Sequence, residues 1–235
     1  MRRAAWRHPS AVFSSPNALE GAENHLLGLF ALKLAFGVFG ALFGLLFVHS
    51  DDNTAQVKGN GHFELVQGAG GSLNGTTSFE RTNYFETVPS NQLATALWLE
   101  ADRMGRLLPA MTQQKLDTQR DVVKNERRWS VDNQPYGTWW ERLPALCFPP
   151  EHPFHHSLIG SMADLDAASL DDVAAFFATY YTPDNAVLTV AGDFDPAEAR
   201  ALIDRYFGPI PRGAGKPPLP DMSLPPSYGA PQRVV

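Results

Sequence analysis

The chain has one cysteine in 235 residues, and it has no run of basic side chains. A single thiol, Cys147, excludes an internal disulfide framework and any CxxC metal site, although exported proteins without disulfides are common enough to leave the compartment open. The formal net charge of -6, with acids and bases interleaved, provides no electrostatic surface for nucleic acid. Nucleic-acid binding is therefore excluded as a function class.

Long apolar runs are also scarce, with one exception at residues 26–48, which Lys33 alone interrupts with a charge. About 20 apolar residues in a helix cross the hydrocarbon core of a bilayer, so this segment is long enough to be a membrane anchor. Three arginines precede it, as in a signal anchor, but Glu20 and Glu23 lie closer to it and dilute the positive flank. Residues 1–25 have no sustained period and are predicted to be an irregular leader.

The sequence after residue 61 alternates between helical and strand patterns. Residues 62–67 (HFELVQ) predict a short helix that GAGG ends, and SLNGTTSF and TNYFETV predict two strands separated by turn-forming residues. Apolar residues then recur at three- and four-residue steps through NQLATALWLEADRMGRLL, which predicts an amphipathic helix.

A second amphipathic helix is predicted to begin at Thr112, and its apolar stripe includes Gln119, Val123 and Glu126. A carboxylate on the packed stripe of a helix is costly to bury without a partner. The simplest interpretation gives Glu126 an ordinary surface partner such as Arg127 or Arg128. The alternative is that Glu126 belongs to a functional site.

The last third of the chain predicts two capped helices and one strand. Ser169 with Asp172 is an N-terminal capping pattern, and Asp195, Pro196 and Glu198 predict the start of another helix. Between them, residues 186–192 (AVLTVAG) predict a buried strand. Residues 134–160 are loop-rich and punctuated by proline, and Cys147 within them is predicted to be a small buried thiol. After Pro209, the Pro- and Gly-rich composition predicts a linker.

Several stretches together resemble one known family, almost continuously over residues 62–211. They are GGSLNGTTSFERTNYFETVPSNQLATALWLEADRMGRLL, QRDVVKNERR, DNQPYG and IGSMADLDAASLDDVAAFFATYYTPDNAVLTVAGDFDPAEARALIDRYFGPIP. They closely resemble the amino-terminal domain of the insulinase and pitrilysin-type zinc metallopeptidases, the inverzincins. The resemblance implies an α+β fold, in which helices pack on an antiparallel sheet, and a second similar domain that closes over a peptide substrate.

The resemblance also implies a zinc site, of which this sequence retains one residue. In the family, an inverted H-x-x-E-H on a helix supplies two histidine ligands and a glutamate base, and a later glutamate supplies the third ligand. The match puts that third ligand at Glu126. The motif itself occurs nowhere in the chain: in ALFGLLF, Ala41 and Leu45 take the places of the histidines and Gly44 takes that of the base. We therefore expect no zinc and no peptidase activity from this chain alone.

Two further segments were considered for binding roles. Two histidines three residues apart in EHPFHH can share a metal, but the surrounding prolines preclude a regular helix, and solvated loop histidines are the simpler interpretation. The lone His62 is interpreted as a packing or helix-start residue. The strand SLNGTTS matches a family edge strand that pairs with extended peptide, which predicts peptide contacts at Asn74, Gly75 and Thr76. The alternative is that this strand only pairs inside the sheet.

Three hypotheses remain open at this stage. The chain is a non-catalytic relative that binds peptide or acts as a partner subunit, or it is a membrane-anchored or exported zinc metalloendopeptidase that works with a second domain or chain. The third hypothesis is a truncated or frameshifted product whose first 60 or so residues are not the natural amino terminus. In each case the expected organisation is a leader (1–25), an apolar helical segment (26–48), a metallopeptidase-like domain (49–211) and a linker (212–235). The compartment stays open between membrane-attached, exported and soluble.

Overall fold

The computed structural model describes residue 57, residues 61–215 and residues 221–224. The described residues form seven α-helices and one pair of strands, which we number in chain order. These are α1 Gly61–Gly68, β1 Ser72–Thr77, β2 Thr82–Thr87, α2 Leu93–Ala110, α3 Gln113–Arg127, α4 Trp139–Cys147, α5 Met162–Ala167, α6 Leu170–Tyr180 and α7 Pro196–Phe207. The leader and the apolar segment 26–48 lie outside the described residues. No helix in the described part of the chain is long and apolar enough to cross a membrane.

The two predicted strands form an antiparallel hairpin, and α1 leads into it. Gly70 has a φ of 80°, a left-handed conformation that glycine adopts without steric cost, so the chain can turn sharply out of α1. The register pairs Asn74 with Phe85 and Gly75 with Tyr84. The sheet and the packed helices confirm the predicted α+β class.

The main core lies between α2, α3, α5 and α6. Its fully buried side chains include Leu116 and Val123 of α3, Leu165 of α5 and Val173 of α6. Burying each such side chain contributes about 1.5–3 kcal/mol relative to leaving it in water. The predicted stripe of α3 therefore packs into this core. Helix α2 buries Leu97 and Ala101 of its predicted stripe together with Leu99 and Leu107 outside it.

Local capping chemistry sets the helix starts that the sequence predicts. Thr112 accepts a hydrogen bond from the Lys115 amide at the start of α3. Ser169 and Asp172 form a reciprocal capping box at α6, and the Asp195 carboxylate accepts the first free amides of α7.

Two expectations from the sequence are wrong. Residues 186–192 do not form a buried strand: no ladder joins them to another described segment, and Val187 is 60% exposed. A strand requires a partner, and the apolar composition of one segment cannot supply it. The loop-rich stretch also contains one short helix, α4, with Pro144 inside it. Cys147, at the end of α4, is exposed rather than buried.

Candidate peptide-binding and metal-ligand sites

The outer edge of β1 presents backbone groups that no described strand pairs. The Ser78 amide bonds to the Arg81 carbonyl, and hydrogen-bonded pairs alternate along an antiparallel ladder. The amides of Asn74 and Thr76 therefore face β2, whereas that of Gly75 faces outward. In agreement, the Gly75 N–H donates to its neighbour's side chain, Asn74 Oδ1, at 2.8 Å. An extended polypeptide could replace that local bond by pairing with β1.

The inner face of the hairpin is fixed to the helices by polar and aromatic contacts. The hydroxyls of Tyr84 on β2 and Tyr181 after α6 lie 2.8 Å apart. The Arg103 guanidinium of α2 lies 4.4 Å from the centre of the Tyr84 ring and donates to His62 Nδ1 at 3.2 Å. His62 is fully buried in the first turn of α1, which confirms its predicted packing role. These contacts hold β2, and with it β1, against the body of the protein.

Two carboxyl groups meet beneath the same hairpin, a feature that the sequence analysis missed. Glu86 of β2 is largely buried beside Glu100 of α2, and Glu100 pairs with Arg103 at 3.0 Å. Burial first, and then the adjoining Glu100 carboxyl, raises the pKa of Glu86 to about 9. Glu86 is consequently protonated at neutral pH. The sequence did contain a signal for this site: Glu86 follows Tyr84 by two residues, and residues spaced by two in a strand lie on the same face.

Glu126 occupies the packed stripe of α3, in line with the buried Gln119 and Val123. Its Oε2 atom is buried and has no hydrogen-bond partner in the described part of the chain, and burial raises the pKa of its carboxyl. The predicted ordinary partners are engaged elsewhere. Arg127 binds Glu141 of α4, and Arg128 donates to Asn125 at 2.8 Å. Neither of the two named partners, Arg127 and Arg128, therefore pairs with Glu126.

The donors that the structure describes do not make up a catalytic metal site. A catalytic zinc needs three protein ligands and an open position, and an orphaned carboxylate oxygen suits one of the three. No group of three or more His, Cys, Asp or Glu side chains that could hold a metal occurs within the described ranges. The positions expected to carry the other two ligands, Ala41 and Leu45, and the base, Gly44, lie outside the described residues, and none of these residue types has a metal-binding side-chain atom.

The histidines of EHPFHH have structural contacts. His152 is 4% exposed, and its Nδ1 accepts the Phe154 amide at 3.1 Å, which caps a short turn at Pro153–His155. His155 Nδ1 donates to the Phe148 carbonyl at 2.7 Å. His152 and His155 therefore shape this loop from within, contrary to the prediction of solvated side chains. His156 is exposed, as predicted.

Exposed aromatic side chains follow Glu126 along the chain. Trp129 is 74% exposed, and Trp139 and Trp140 of α4 are stacked with ring centres 4.0 Å apart, at 49% and 65% exposure. Tyr136, between them, is 90% exposed. Exposed aromatic groups of this kind are typical of protein- and peptide-binding surfaces.

Solved structures share this fold. A protease from Helicobacter pylori superposes with a TM-score of 0.71 and 29% identity, over 85% of this chain and 46% of that one. The periplasmic protease PqqL from Escherichia coli superposes with a TM-score of 0.66 over 83% of this chain and 22% of that one, but at 22% identity, which supports the fold alone. A ferredoxin protease crystallised with Arabidopsis ferredoxin has a TM-score of 0.64 at 25% identity, over 83% of this chain and 21% of that one. The fold is thus one found in proteases.

Sequence comparison then identifies the family. Residues 49–145 match the family model described as Insulinase (Peptidase family M16), and residues 167–235 match the one described as Peptidase M16 inactive domain. The zinc protease PqqE of Helicobacter pylori is 33% identical over 184 residues, which are 78% of this chain and 41% of that protein. The chain belongs to the insulinase family, as its sequence motifs predict.

A second relative is a subunit of a processing enzyme. The beta subunit of the mitochondrial-processing peptidase of Blastocladiella emersonii is 29% identical over 151 residues, which are 64% of this chain and 32% of that protein. The chain spans less than half the length of these two curated relatives.

Proposed function

We propose that this chain is a polypeptide-binding domain of the insulinase family that captures an extended segment along β1 and does not hydrolyse it unaided. The observation that carries the proposal is the outward edge of β1, where the Asn74 side chain is the one bonding partner of the Gly75 amide among the described residues. Backbone pairing at such an edge needs no metal, so it does not depend on catalysis. Asn74, Gly75 and Thr76 are the proposed contact residues.

Two further observations support this assignment of substrate class. The relatives are named as proteases, and one was crystallised with a protein, ferredoxin. The exposed aromatic residues Trp129, Trp139 and Trp140 follow Glu126 in the chain and could cover apolar side chains of an unfolded segment. A polypeptide matches both the backbone edge and the aromatic surface.

The absence of catalysis rests on the donor set. Glu126 is the proposed remainder of the zinc site, and one carboxylate cannot hold zinc against water. Without that ion, a nucleophilic water keeps a pKa near 15.7 instead of about 7, and Gly44 supplies no base to take its proton.

We also propose that residues 49–211 act as one domain, joined through residues 212–235 to a second unit. Closure over the captured segment then needs either that second domain or a family-member subunit, as the name of the processing-peptidase relative suggests. In this arrangement the chain supplies the binding edge and its partner supplies the remaining site.

The experiment uses the whole chain and a short fluorescein-labelled peptide of alternating valine and serine, which favours extended backbone. Gly75→Pro removes the outward N–H and leaves the β1–β2 ladder intact, because Gly75 does not donate to β2. We expect fluorescence anisotropy to show binding to the wild type and at least about tenfold weaker binding to Gly75→Pro.

Gly75→Ala is the matched control, because it adds the same first carbon atom and keeps the N–H. A second pair of variants covers the case in which position 75 tolerates no side chain. Thr77→Pro removes the next outward N–H of β1, and Thr77→Val is its control because it keeps that N–H. Equal affinities within both pairs, or no binding by the wild type, would overturn the proposed edge. The chain should not cleave the same peptide when zinc is added. Cleavage that a chelator abolishes would contradict the proposal that the chain alone is not a peptidase.

A further inference from the structure

The tip of the β1–β2 hairpin contacts a loop that lies some seventy residues later in the chain. The turn is closed by the Ser78 amide, which donates to the Arg81 carbonyl at 2.8 Å. Phe79 projects from this turn, and its ring lies edge-on to Phe154, with centres 5.3 Å apart. Edge-to-face pairs at this distance are attractive, beyond the area that they bury.

Phe154 belongs to an aromatic platform, which we define as Phe148, His152 and Phe154. Phe148 stacks on His152 at 4.5 Å and meets Phe154 edge-on at 5.5 Å. The His152 ring accepts the Phe154 amide at 3.1 Å, which fixes the two residues relative to each other.

The platform is also held from outside. Prolines 149, 150 and 153 restrict the backbone around it. His152 Nε2 approaches the Met222 carbonyl at 3.4 Å, so a segment of the proposed linker covers its far side. A ring held by this many contacts is a rigid surface for the hairpin tip.

The hairpin needs such support because two strands alone are marginally stable in water. Its middle is fixed by Tyr84, and its tip is fixed by Phe79. We infer that the aromatic platform positions β1 for peptide capture, with Phe154 as the positioning residue, an inference that rests on the proposed function. Without the contact between Phe79 and Phe154, the hairpin tip is free to move relative to the helices. The outward amides of β1 are then no longer aligned for pairing with a peptide.

The experiment measures two quantities on the whole chain: affinity for the alternating valine–serine peptide, and hydrogen exchange of the Asn74 and Thr76 amides. We expect Phe154→Leu and Phe79→Leu each to weaken peptide binding about two- to tenfold and to speed exchange at both amides. The double variant should bind peptide little more weakly than either single variant, because both substitutions remove the same contact. Phe154→Tyr, which keeps the ring, should restore both values.

Tyr206→Leu on α7 is the matched control for a general loss of stability, since it lies outside the hairpin and the platform; it should change neither quantity. Wild-type values in both leucine variants would overturn the inference, as would equal effects from Tyr206→Leu. Failure of the wild type to bind peptide would refute the proposed function alone, because the exchange rates still decide whether the platform holds β1.

Discussion

Replacing Glu86 by glutamine should remove a pH dependence of folding that originates beneath the hairpin. Glu86 lies beside Glu100, and its pKa is raised to about 9, largely by burial. The folded protein therefore keeps this proton through neutral pH, whereas the unfolded chain releases it near the ordinary value of 4.5. Glutamine has nearly the same shape, carries no charge, and can still donate a hydrogen bond to Glu100.

The size of the effect follows from proton linkage. Between about pH 5 and about pH 9 the folded state binds up to one proton more than the unfolded state at Glu86, so stability falls as pH rises. One proton corresponds to about 1.4 kcal/mol for each pH unit. The stability of Glu86→Gln relative to the wild type should therefore rise by about 2–3 kcal/mol from about pH 6 to about pH 8.

Urea unfolding, followed by circular dichroism across this pH range, measures the difference directly. Glu64→Gln on α1 is the control, because that side chain is exposed and its removal should leave the curve parallel to that of the wild type. A Glu86→Gln curve that also runs parallel to the wild type would refute the reasoning, since the proton would then not be bound in the folded state.

Two other substitutions test Glu126 and a helix cap. Glu126→Gln should raise stability at neutral pH, because burial raises the pKa of a carboxyl whose Oε2 has no partner among the described residues. Mass spectrometry should find less than one zinc per chain both in the wild type and in this variant. One zinc per wild-type chain that is lost on substitution would instead make Glu126 a true ligand. Ser169→Ala should cost about 1 kcal/mol in urea unfolding, because it breaks the capping box with Asp172. Thr179→Ala at the other end of α6 is expected to cost less than about 0.5 kcal/mol, and an equal loss in the two variants would contradict the capping argument.

Local sequence rules placed most elements where the structure has them. Thr112, Ser169 and Asp195 begin their helices because a side-chain oxygen satisfies amides only two or three residues away. The periodicity of α3 likewise put Glu126 on the packed stripe, since helix geometry alone decides which residues share a face. The family motifs, which lie within the same described stretch, identified the fold before any contact was known.

Contacts between distant residues decided the rest. Residues 186–192 have a strand-like composition, yet whether they pair depends on another segment, and no described one does so. Arg127 stands next to Glu126 in the sequence, but tertiary packing commits it to Glu141. The Glu86–Glu100 pair joins a strand to a helix. The sequence by itself therefore determined where helices begin and which faces are apolar, because those depend on neighbours along the chain. Only the tertiary structure decided which side chains pair with one another and which carboxyl groups keep a proton, because both depend on which distant groups share a buried space.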